Sequence, residues 1–212
     1  MLFRSVSWYM KSVEQNYIPA MNNLGDCLYY GLGIKQDYKK AFDYFKQAEA
    51  KGYTAEISLG LCYLDGYAVP KDIDKAINYF KKCNFIDSLV YLGRAYYNKE
   101  EYAKALSYFK QASKSNIKVA DGLIGMCYYY GKGVNKNFSE AFTMLKKSVD
   151  SGATDPQILH LLSNCYRNGY GVAVNLTKAD ELLQRAMDKD AALARRINNI
   201  QKPPILSSGT IQ

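Results

Sequence analysis

Apolar residues recur in this chain at spacings of three, four and seven, and the same set returns five times. The anchor is an apolar residue followed by a small one: Leu24-Gly25, Leu59-Gly60, Leu92-Gly93, Ile124-Gly125 and Leu162-Ser163, in steps of 35, 33, 32 and 38 residues. Three residues after the Gly or Ser stands Leu28, Tyr63, Tyr96, Tyr128 or Tyr166. Five before it stands Ala20, Ala55, Ser88, Ala120 or Ile158. The position four before (Met21, Glu56, Leu89, Asp121, Leu159) is not uniformly apolar. Such spacings predict an amphipathic helix with one buried stripe.

Each predicted first helix runs into glycine: Gly31-Leu32-Gly33-Ile34, Gly66-Tyr67-Ala68-Val69, Gly131-Lys132-Gly133-Val134 and Gly169-Tyr170-Gly171-Val172. Glycine there can adopt the left-handed conformation that closes a helix, and the Ile or Val that follows returns the chain to the core. A second helix is predicted next, on a small-x-x-aromatic or small-x-x-apolar pattern led by Ala41, Ala76, Ala105, Ala141 and Ala179. Seven residues further on comes another small residue, Ala48, Cys83, Ala112, Ser148 or Ala186. Neither helix can hide its apolar face alone, so stacked hairpins are expected. The third repeat departs at Tyr96-Tyr97-Asn98-Lys99-Glu100-Glu101-Tyr102, which has a shorter turn and no glycine pair.

These residues resemble the Sel-one-like repeat family, a relative of the tetratricopeptide repeat, over roughly residues 5–190. Ala20 to Lys51 and Ala120 to Gly152 follow its pattern most closely, whereas the third repeat reads as an ordinary tetratricopeptide turn. The resemblance implies an all-α fold, a right-handed α-α superhelix of about five repeats in one domain over 1–201. Its expected parts are a half repeat at 1–17, repeats at about 18–52, 53–84, 85–116, 117–153 and 154–190, and a cap at 191–201. A flexible tail at 202–212 follows the stop at Lys202-Pro203-Pro204.

Composition narrows the function classes. Among 212 residues, 48% are hydrophobic, which suits a folded core. No apolar run reaches the length of a spanning helix. The opening residues lack the basic start and apolar stretch of a secretory signal, so the chain as it stands reads as cytoplasmic. A longer parent with a leader would make it secreted or periplasmic.

The formal charge is +8. Lys46, Lys81, Lys110 and Lys146 share one repeat position, with Lys82, Lys147 and Arg185 beside them, so a basic ladder is expected on the second helices. It offers an alternative function, a nucleic-acid or anionic-surface module. Lysine at that position also belongs to the family pattern, where its stem covers apolar surface. That places nucleic acid behind protein as the expected partner.

Cys27, Cys62, Cys127 and Cys165 occupy one alanine-like position and Cys83 a small slot of a second helix, so all five are expected as buried thiols. Neighbouring helices lie about 8–10 Å apart, too far for equivalent cysteines to bridge. No metal site or cofactor is expected: Cys-x-x-Cys is absent and His160 is the single histidine. The Gly-x-Gly turns follow helices rather than strands, unlike phosphate loops. No nucleophile can be placed beside His160, so no enzyme activity is expected.

In the tetratricopeptide relatives, first helices line a concave surface where partners lie. Carried across, that geometry makes the partner groove Asn22, Asp26, Tyr29 and Tyr30, then Leu61, Leu64 and Asp65, then Arg94, Tyr97 and Asn98. Met126, Tyr129 and Tyr130 continue it, followed by His160, Asn164, Arg167 and Asn168. The expected function is a noncatalytic scaffold holding a peptide or protein there, since Tyr, Arg and Met suit such contacts. The resemblance also implies roles in complex assembly, bacterial signalling or bacterium–host contact. A regulatory module of a larger protein is a further alternative. Partner identity and oligomeric state stay open.

Overall fold

Glycine inside a helix is costly unless something needs the space it leaves, and here a phenylalanine needs it. In the first three hairpins the second helix drives an aromatic ring against the first-helix glycine. A β-carbon placed on Gly25, Gly60 or Gly93 would lie 2.4, 2.3 or 2.3 Å from the ring of Phe45, Phe80 or Phe109. All three rings are fully buried. In the fourth hairpin Leu145 takes that place against Gly125. The fifth substitutes a hydroxyl: Ser163 Oγ donates to the Ala179 carbonyl at 2.7 Å, and the buried residue of the second helix moves to Leu182.

A computed structural model describes residues 2–190 and contains, within them, eleven helices and no strand. Helix α1 is Leu2–Glu14, and the hairpins are α2 (Ile18–Tyr30) with α3 (Tyr38–Ala50) and α4 (Glu56–Asp65) with α5 (Ile73–Lys82). They continue with α6 (Ser88–Asn98) and α7 (Tyr102–Lys114), α8 (Lys118–Tyr130) and α9 (Phe138–Asp150), and α10 (Pro156–Asn168) and α11 (Leu176–Lys189). The expected cap and tail over 191–212 lie outside the described residues. The helices gather into two compact units, Met1–Ser115 with α1–α7 and Asn116–Gln212 with α8–α11. Within each unit the hairpin partners pack most closely, and each second helix also packs on the first helix of the next repeat.

The turns follow from local chemistry. Gly31, Gly66, Gly131 and Gly169 cap their helices at φ between 68° and 73°. The chain then returns a backbone amide to the helix it left: Asp37 to Leu28, Asp72 to Tyr63, Asn137 to Tyr128 and Asn175 to Tyr166. Those same four side chains cap the second helices, accepting from backbone amides of their first turns. The third repeat manages with Glu100 at φ 64° and a Glu101 amide bonded to the Tyr96 carbonyl.

Aromatic rings fill the space between repeats. Tyr63 meets Phe42 of the preceding hairpin edge-on and stacks on Tyr79 of its own. Tyr166 meets Phe142 in the same edge-on way. All five cysteines are free and buried, as their alanine-like positions predict. Burial pushes the thiols of Cys62, Cys127 and Cys165 up to about 12, which keeps them protonated. Helix α1 packs as a second helix, with Val6 buried against α2. Trp8 is 71% exposed because no described first helix covers that side of α1. No described helix is long and apolar enough to cross a membrane.

Gly60→Ala should cost about 1–3 kcal/mol, since the Phe80 ring is sealed in and has nowhere to go. Urea unfolding measures this, and adding Phe80→Leu should recover part of the loss.

Candidate functional site

Helical geometry separates the first-helix residues into rows. At about 100° per residue, the position four after the Gly or Ser lies only about 40° from it. Positions three before, one after and five after lie at about 60°, 100° and 140°. The row at 40° should therefore turn toward the second helix, and the structure bears this out. Tyr29 is buried against Tyr38 and near Phe45, and Leu64 is buried. Tyr97 packs on Tyr102 and Tyr129 on Phe138. Arg167 reaches Asp180 of α11 at 2.5 Å.

This corrects the expected groove. Tyr29 and Leu64 are core residues, and Tyr97, Tyr129 and Arg167 face their hairpin partners. Met126 also proves buried, within a stretch of α8 buried from Ala120 to Cys127. The row at 140° behaves oppositely: Tyr30, Asp65, Asn98, Tyr130 and Asn168 are all exposed. Arg94 is exposed, while Asn22, Asp26, Leu61, His160 and Asn164 are partly buried on the same side.

In the first unit these rows enclose a pocket of about 530 Å³ between α2, α4 and α6. From the expected set it gathers Asn22, Asp26, Tyr30 and Leu61. Tyr53, Glu56, Ser58, Phe85 and Tyr91 also line it and were not foreseen. Ser58 and Tyr91 both stand two residues before the glycine, at about 160°, so the angular reading would have found them. Tyr53 and Phe85 come from the turns between repeats, which helix periodicity does not reach.

Asp26 is the chemical centre of this pocket. Ser58 Oγ donates to its Oδ1 at 3.1 Å, and Asn22 Nδ2 lies 3.5 Å from its Oδ2. Both of these donors are neutral. Burial raises its carboxyl above the ordinary value, and the Ser58 hydrogen bond only partly opposes this. Asn22 Oδ1 is buried and has no donor among the described residues. The buried carboxylate of the second unit is different, since Asp121 pairs with Lys147 at 3.0 Å. Asp65 is also engaged, accepting from the Tyr29 hydroxyl at 2.5 Å.

The second unit offers a narrower open face. Leu123 and Leu161, at the positions of Ser58 and Tyr91, are buried like Met126. Asn164 Nδ2 lies 3.3 Å from His160 Nε2, and Asn168 Nδ2 donates to the Asn164 carbonyl at 3.0 Å. No described group of three or more His, Cys, Asp or Glu residues has the arrangement to hold a metal ion.

The basic ladder is partly neutralised by its own helices. Lys46 reaches Glu49 and Lys146 reaches Asp150, both at 2.5 Å. Lys82 lies over the Tyr79 ring. Lys81 and Lys110 are exposed.

The Sel1 repeat pattern matches residues 18–53, 54–82, 120–152 and 159–190, more than half of the chain. A tetratricopeptide repeat pattern matches 87–116, the hairpin with the divergent turn. Among solved structures, a Sel1 repeat protein from Oxalobacter formigenes is similar at TM-score 0.67 and 21% identity, over 85% of this chain and 75% of that one. A Sel1-type repeat protein from Klebsiella pneumoniae subsp. pneumoniae is similar at TM-score 0.61 and 18% identity, over 93% and 99%. These likenesses concern the fold. A search of curated proteins finds no match.

Asp26→Asn should raise the unfolding midpoint near neutral pH, because it removes a charge that the fold desolvates and keeps an acceptor for Ser58. The folded carboxyl binds its proton more tightly than the unfolded one. The gain should therefore be full above the raised folded value and vanish below the ordinary carboxylate value of 3.8. Thermal melts across pH measure it.

Proposed function

The chain belongs to the Sel1 repeat family, and from that premise we propose that it is a noncatalytic scaffold holding a protein or peptide against the open face of its first helices. Repeats of this kind and tetratricopeptide repeats are generally protein-interaction scaffolds. One observation carries the reading for this chain: the row five residues after the Gly or Ser is exposed in every repeat. Stacking consumes the glycine row and the row beside it, and leaves this one exposed even where Asp65 accepts from Tyr29.

The residues on offer suit a protein partner. Tyr30 and Tyr130 are 53% and 48% exposed, and such side chains give large contact area with a polar tip. Leu61 adds apolar surface beside them in the first unit. Ion pairing of Lys46, Lys146 and Lys147 with nearby carboxylates favours this reading over one driven by phosphate contacts.

Affinity capture from the native cell tests it. A specific protein should be retained by the native chain and by Lys81→Ala/Lys110→Ala. It should be lost from Tyr30→Ala/Leu61→Glu, and binding should weaken only modestly between about 50 and 200 mM salt. Equal capture by the Tyr30/Leu61 variant would overturn the reading. A collapse of about a thousandfold or more with salt would point to nucleic acid instead.

A further inference from the structure

The protein is basic as a whole, yet its charge is segregated. In the first unit, the first helices α2, α4 and α6 carry Asp26, Glu56 and Asp65 against Arg94 alone. The second helices α3, α5 and α7 carry nine lysines against Asp43, Glu49 and Asp74. The cavity around Asp26 is lined from these first helices and therefore lies on the acidic side of the unit.

Building on the scaffold reading, we infer that the pocket around Asp26 is an anchor site for an arginine side chain of the partner polypeptide. Its size lies within the range of about 300–1,000 Å³ typical of ligand pockets. Among the described residues, Asp26 and Glu56 are the charged ones that line it. The rings of Tyr30, Tyr53, Phe85 and Tyr91 form the walls around these carboxylates. A planar cation that stacks on rings and donates several hydrogen bonds matches such a lining.

The condition of Asp26 strengthens the assignment. It is largely desolvated by the fold, and the two hydrogen-bond donors that support it, Ser58 and Asn22, are both neutral. An incoming guanidinium supplies a positive charge at a carboxylate that the fold has already partly desolvated. A metal ion is a poorer occupant, since no described cluster brings enough ligands together. The chain makes cation–π contacts elsewhere, with Lys75 over Tyr63 and Lys104 over Tyr96. Those rings do not line the pocket. No other repeat places a carboxylate at this position, which holds Leu61, Arg94, Met126 and Asn164, so the anchor is confined to one level.

The test uses fluorescent, amidated heptapeptides Ala-Ala-Leu-Xaa-Tyr-Ala-Ala, with Xaa as arginine or as citrulline, its neutral isostere. Anisotropy is read at about 0.15 M ionic strength, where long-range attraction is screened. The arginine peptide should bind the native chain about tenfold or more tightly than the citrulline peptide. Asp26→Asn should erase that preference without lowering the unfolding midpoint, which separates loss of the anchor from loss of the fold. Tyr91→Ala should weaken the preference, and Asp150→Asn, an equal charge change in the second unit, should leave it intact.

Equal affinity for the two peptides, a preference that survives Asp26→Asn, or no binding of either up to about 1 mM would overturn the inference. If capture through Tyr30 and Leu61 still succeeds, the scaffold reading stands and only the arginine anchor falls. If that capture fails as well, both fall.

Discussion

A ring pressed onto a glycine sets the spacing of each of the first three hairpins. Gly25, Gly60 and Gly93 leave no room for even a methyl group before Phe45, Phe80 and Phe109. The helix gives up propensity at one position, and a fully buried aromatic side chain more than offsets it. The fourth and fifth hairpins keep the close approach by other means, a leucine at Gly125 and a hydroxyl–carbonyl bond at Ser163. Variation is tolerated in what fills the gap, and the gap itself persists.

Stacking follows from that close approach. Once each hairpin is shut, Tyr63 and Tyr166 are held where rings of the preceding hairpin can meet them. Tyr29 and Tyr129 are drawn under Tyr38 and Phe138. The turns repeat the same economy: a left-handed residue ends one helix, and an Asp or Asn starts the next. In the divergent third repeat, Glu100 takes the left-handed conformation that glycine takes elsewhere. The tetratricopeptide pattern over 87–116 falls on this hairpin.

The pocket around Asp26 stands apart from this logic. A half-buried carboxylate with only neutral donors makes the isolated fold less stable than a neutral side chain would. Asp121 shows that this chain can pair a buried carboxylate with a lysine. Binding sites commonly keep groups that the free protein would be more stable without. A strained electrostatic position facing an aromatic-walled cavity fits that pattern.

The helical repeats, their glycine-closed turns and the buried thiols were legible in the order of residues. Each depends on local periodicity or on one residue's conformational range, and neither needs a partner element to be known. Which face of each first helix stays open was only half legible. Angles measured from the glycine separate Tyr29 and Leu64 from Tyr30 and Asp65. No angle says that Leu123, Met126 and Leu161 are buried while Ser58 and Tyr91 line a cavity. Tertiary packing decided that, because burial depends on what lies opposite a side chain, and the opposing groups come from helices and turns distant along the chain.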